Sequence, residues 1–346
     1  FDAASQREIA TVMEELPEDV IISLKNTPHD YYPTFPVNPR IGRVGEHEQW
    51  IEFDTMGQYF GWGVGIADLT EDYRRRLRDA KEKGATGAVF RLDWESLDGH
   101  SSFFTPNKIN VYAAAALTRN LDTPGREVYR TYLEEEGWCL ERECGDRAAE
   151  RFGGILGETW GVTARTVFVD GCVVSDSSVM PISLEHAVWL SEEKNSLRDW
   201  DESKWNCVSA RRESVEAAIR EKEEALAAVT ALCAAAEECP PGIRGEKWGW
   251  FKERLQLNAR YVDMFYHAIS AILLTRYVTE TEEDDEEYRS EALKRAQEEL
   301  VQLERLEREF RALAEETEYE PHVIYTLLDP DRLNCLQRSL KRSLEE

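Results

Sequence analysis

Apolar positions up to residue 92 fall into short blocks divided by turn-rich stretches, whereas beyond residue 211 they recur every three or four residues. The first pattern is that of buried strands and the second that of amphipathic helices. Val20 to Leu24, Trp50 to Phe53 and Gly87 to Leu92 read as three strands. Glu71 to Lys83 reads as a helix that starts after Thr70 and stops at Gly84. Strand, helix, strand at this spacing predicts a parallel sheet. An earlier helix is expected over residues 5 to 16, with Ser5 and Glu8 as a capping box and Ile9, Val12, Met13 and Leu16 on one face. Helices are also expected from Asn110 to Thr118 and from Thr123-Pro124 to about Glu136. The stretch from 137 to 205 reads as irregular, with one strand at Thr166 to Val169.

Three long helices follow. The first carries Val215, Ile219, Leu226, Val229 and Leu232; the second Trp248, Phe251, Leu255, Val262, Phe265, Ile269 and Ile272. The third carries Leu293, Ala296, Leu300, Leu303, Phe310 and Leu313 behind the acidic run Glu282 to Glu287, which favours a helix start through the dipole. Such stripes predict an antiparallel bundle, with room for a second copy of the chain against a leftover face.

Composition narrows the function classes. A formal charge of −26 opposes general affinity for nucleic-acid phosphates or anionic membranes. The seven cysteines are odd in number and irregularly spaced, without a C-x-x-C pair, so free thiols in a reducing compartment such as the cytoplasm are expected, and no zinc site. Gly61, Gly63 and Gly65 in GWGVG do not make the dinucleotide fingerprint. The SDSS at 175–178 lacks a nucleophile elbow. His186 and His267, in helical stretches with apolar neighbours, read as structural, and His47 between two glutamates does not make a metal site. No cofactor or metal is expected.

Chemistry is expected where parallel strands end, because loops converge there while the strand bodies are packed. The first strand ends in Lys25, His29 and Asp30, in a stretch that holds four prolines; the second ends in Glu52, Asp54 and Gln58; the third in Arg91, Asp93 and Glu95. One polar residue at a strand end is ordinarily a cap or a solvated loop. Three loaded ends in succession, in the company of Tyr31, Tyr32, Tyr59, Phe60, Trp62 and Trp94, predict a sugar site, with flat rings for stacking and polar groups for hydroxyls.

The runs KNTPHDYYPTFPVNPRIG, IEFDTMGQYFGWG, GATGAVFRLDWESLDGH and NVYAAAALTRNLDTP resemble, in order and spacing, blocks of the microbial α-glucuronidases of glycoside hydrolase family 67: KNGPIDFQPREP, MEFQITQEYLG, GMAGVANVGSDRNWTGH and NWYAFGRLAW. The resemblance covers roughly residues 18 to 135. It implies an α/β plus all-α chain, in which residues 1–120 are the last three units of a (β/α)8 barrel and 121–346 a mostly helical domain that supports dimers. It implies hydrolysis with inversion, releasing a uronic acid from polysaccharide fragments, and an oligosaccharide partner. Asp30 falls on one of the two base carboxylates and Lys25 on a residue that binds the uronate. The second base falls on Gln58, whose amide cannot accept a proton, so Asp30 alone, or Asp54, Asp93 or Glu95 in compensation, would carry that role. His29, Tyr31, Glu52, Trp62, Arg91 and Trp94 are expected to line the sugar. The general acid is implied on an earlier strand, and a closed barrel needs eight strands. A longer enzyme, or a partner chain, is therefore expected to complete it. The loss at Gln58 leaves a second reading, a non-catalytic carbohydrate-binding or assembly protein.

Overall fold

The computed structural model describes residues 11–13, 15–28, 30–55, 57, 59–92, 101–141, 145–175, 177–192, 204, 208–316 and 326–346. The chain is a mixed α/β structure with a small parallel sheet and a large helical part. Strands β1 (Ile22–Lys25), β2 (Gln49–Asp54) and β3 (Gly87–Arg91) lie in that order and are parallel, with helix α1 (Thr70–Glu82) crossing between β2 and β3. Residues 11–13 and 15 are helical, while the capping box expected at Ser5 and Glu8 lies outside the described residues. The link from β1 to β2 is made of turns, without a helix among its described residues.

The sheet has one buried and one open face, as period-2 alternation dictates. Gln49, Ile51 and Phe53 are buried on one side, where Phe53 and Phe90 meet Tyr73 of α1. On the other, Ser23, Trp50 and Val89 are exposed, Trp50 at 36% and Val89 at 38%. Gly87 lies directly under the Trp50 indole, where a Cβ would sit only 2.7 Å from the ring.

Helices α2 (Ile109–Arg119) and α3 (Gly125–Glu135) follow as expected, except that Pro124 is the N-cap of α3 and not its first-turn residue. The next stretch departs from the reading as irregular. It holds α4 (Asp146–Leu156), α5 (Thr159–Val167), a two-stranded antiparallel pair β4 (Phe168–Val169) and β5 (Cys172–Val173), and α6 (Leu184–Glu192). The strand expected from Thr166 is thus helical until Val167. Its β-branched residues fit a helix because Val162, Thr163, Thr166 and Val167 are all buried against neighbouring elements, and packing outweighs propensity.

The long helices are α7 (Arg212–Ala235), α8 (Gly245–Glu280) and α9 (Glu286–Glu316), with α10 (Pro330–Glu345) closing the chain. Helix α8 is central, packing on α7, α9 and α10. Its ion pairs to α9, Arg260–Glu309, Asp263–Arg305 and His267–Glu299, run in opposite residue order and so fix the two helices as antiparallel. One hydrophobic core runs from Tyr31 through Phe152 and Phe251 to Leu340, joining sheet and helices. No helix among the described residues is long and apolar enough to cross a membrane.

Cys172, Cys233, Cys239 and Cys335 are free, but Cys139 is disulfide-bonded. The expectation of free thiols fails there, because count and spacing carry no information on which sulfurs the fold brings together.

Candidate functional site

Lys25, Glu52, Val89 and Arg91 belong to the sheet face that α1 does not cover, with Lys25 opposite Glu52, Glu52 opposite Val89, and Asp54 opposite Arg91. The loop after β1 folds back to meet them. Asn26 continues the ladder by donating its N–H to the Glu52 carbonyl, and Asn38 donates its side-chain amide to the Lys25 carbonyl at 3.0 Å and its own N–H to the Asn26 carbonyl at 3.0 Å. The Thr27 hydroxyl donates to the Asp30 carbonyl, closing a turn that holds Asp30 at φ +42°, a conformation aspartate tolerates better than most residues.

The result is a compact charged group. The Lys25 ammonium donates to Asp30 Oδ1 at 2.6 Å, the two side chains 41% and 36% exposed. The Tyr31 hydroxyl donates to Glu52 Oε1. Lys25 Nζ and the Arg91 guanidinium both lie over the Tyr31 ring, 4.9 and 4.4 Å from its centre. Burial, and then the bond to Glu52, push the Tyr31 phenol far above its ordinary range, so it stays protonated as a donor. Partial burial pulls Arg91 down, but its bond to Tyr31 and the charges of Asp54 and Glu52 hold it above its ordinary value. Two cations and two acidic groups thereby converge on one open face.

Several expectations are revised. Asp54 shares a face with Glu52 but is only 4% exposed, so it is badly placed to activate water, whereas Glu52 is only partly buried. Tyr31 is 2% exposed and its ring is covered by cations, and Tyr32, Tyr59 and Phe60 are buried in the core, which leaves none of the four free to stack on a sugar. Their rings fill the space beneath the loop, Tyr32 packing against Phe35, Tyr59 and Phe168. Trp62, half-buried at φ +51°, donates its indole N–H to the Ser177 carbonyl. His29, Gln58, Asp93, Trp94 and Glu95 lie outside the described residues.

The GWGVG stretch is a tight turn: Gly61 has φ +80°, and a Cβ on Gly65 would sit 2.2 Å from the Phe60 carbonyl oxygen. The SDSS segment braces it, with the Gly61 N–H donating to Ser178 Oγ at 3.0 Å and the Tyr261 hydroxyl donating to the Ser178 carbonyl at 2.5 Å. Both motifs are thus accounted for by packing.

Sequence reasoning missed Arg76. From α1 its buried guanidinium pairs with Asp72 at 2.9 Å and donates to the Phe35 carbonyl at 2.7 Å, clamping the Asp30 loop to the helix. Burial pulls it below the ordinary arginine range. The signal was present: Arg76 falls on the apolar stripe of Tyr73, Leu77 and Ala80. A large cleft of about 1060 Å³ lies elsewhere, between α1, α2 and β3, lined by Leu77, Phe90 and Leu117 and by charged residues such as Arg78 and Asp122, and holds none of the cluster. Among the described residues no set of three ligating side chains is placed to hold a metal ion. No protein-family model matches the chain, and no curated protein matches it.

Proposed function

We propose that the open face of the sheet is the site of a glycoside hydrolase that releases a terminal acidic sugar from a polysaccharide fragment. The observation that carries this reading is the pairing of two solvent-facing acidic groups, Asp30 held by Lys25 and Glu52 held by Tyr31, on one face with Arg91 beside them. In inverting hydrolysis a base takes a proton from water across about 6.5–9.5 Å from the acid that serves the leaving oxygen. Asp30 is the water-activating base, and Glu52 supplies the second acidic group in place of the amide at position 58. Lys25 and Arg91 attract the sugar carboxylate. The likeness to the α-glucuronidases supports the same assignment of Lys25 and Asp30. It also supports reading the three strands as consecutive units in the wall of a (β/α)8 barrel, whose inner face would be the one bearing the charges.

The direct Lys25–Asp30 pair favours a second reading, a non-catalytic carbohydrate-binding protein, because each group already satisfies the other. Incubation with 4-O-methylglucuronoxylan fragments, followed by anomeric NMR of the released uronate, separates the two. The enzyme reading expects release with inversion, abolished in Asp30→Asn. Binding by calorimetry without release supports the second reading, and neither binding nor release overturns both.

A further inference from the structure

Away from the sheet, α8 and α9 are joined by a row of ion pairs: Arg260–Glu309 at 3.3 Å, Asp263–Arg305 at 2.9 Å and His267–Glu299 at 2.5 Å. The first two pairs rest on arginines, which stay charged at every physiological pH. The third rests on a histidine. Both of its ring nitrogens face carboxylates, Nδ1 toward Glu299 Oε2 and Nε2 toward Asp263 Oδ1 at 3.4 Å, and the imidazole is only 12% exposed. A neutral imidazole donates from one nitrogen alone; serving both carboxylates needs the imidazolium.

We propose that His267 is a proton-dependent lock between α8 and α9, tight when its ring carries two protons and released when the ring is neutral. Release leaves Asp263 and Glu299 facing an uncharged ring in a half-buried seam, with only Arg305 to balance Asp263. The other charged or titratable groups at this point are Tyr266 on α8, Arg295 on α9 and Glu223 on α7, and the Tyr266 phenol feels the charges of Glu299, Glu223, Arg295 and Asp263. Partial burial opposes the charge on His267, but its bonds to Asp263 and Glu299 outweigh it and raise the group to about 8. The folded value lies above the unfolded one of about 6.5, so the stabilisation is complete below about pH 6.5 and is lost as pH rises through 8.

The test is urea unfolding of the wild type and of His267→Gln between pH 6 and 9.5. The wild-type unfolding constant is expected to rise about thirtyfold more than that of the variant across this range. Parallel profiles overturn the proposal. Should His267→Gln fail to fold, ring NMR titration of the wild type decides: a histidine titrating near 8 and moved toward 6.5 in Glu299→Gln supports the lock, and six histidines all titrating near the ordinary value overturn it.

Discussion

Lys25–Asp30 and His267–Glu299 are, by distance, the same interaction, at 2.6 and 2.5 Å. Their settings differ. The first pair is more than one-third exposed, at the end of a strand on a face that nothing in its own helix layer covers; the second lies between the two longest helices, its side chains 12% and 16% exposed. Exposed pairs contribute little to stability, because water competes for both partners. The buried His267–Glu299 pair is placed to hold two helices together, while the Lys25–Asp30 pair stays open to solvent. Distance alone would not have told them apart; burial and convergence do.

Mutations separate the two settings. The largest stability loss is expected for Arg76→Met, about 3–5 kcal/mol by urea unfolding, since it strips a buried pair and leaves loop carbonyls without a donor. An unchanged midpoint would dissolve the distinction between clamp and site. Gly65→Ala follows at about 1–3 kcal/mol, because the Phe60 carbonyl must move to admit a methyl group, and the loss should appear as a lower melting temperature. Asp263→Asn should cost about 1 kcal/mol at pH 6 and less at pH 9, where His267 is already neutral, as read from unfolding curves at the two pH values. Lys25→Gln is the smallest, within about 0.5 kcal/mol, while binding of glucuronate measured by calorimetry should weaken at least tenfold. A stability loss in Lys25→Gln as large as in Arg76→Met would put the sheet pair among the structural ones.

Periodicity located β1, β2, α1 and β3 to within one or two residues, because each is short, bounded by turn residues and patterned on one period. It failed at α4, α5 and α6. Gly153, Gly154 and Gly161 weaken the helical signal there, and Thr159, Thr163 and Thr166 imitate a strand until neighbouring helices bury them. Of the site, the meeting of Lys25, Asp30, Glu52 and Arg91 was legible because parallel register carries strand ends to one place. The burial of Asp54 and Tyr31 was not, since alternation names a face without saying what folds over it. Arg76 escaped for a related reason: besides Asp72 one turn earlier, it donates to a backbone carbonyl more than forty residues away, which no local pattern encodes.

The sheet also has a colloidal consequence. Among the described strands β1 and β3 are its edges, each with a row of backbone groups that a like strand could join. Lys25 and Arg91 sit at the ends of those rows, and the chain carries a charge of −26, so two copies approaching edge to edge repel one another at neutral pH. Acidification toward the isoelectric point near 4.7 cancels that charge while leaving the edges intact, so light scattering should peak there and fall again at lower pH, where the lysines and arginines leave the chain positive.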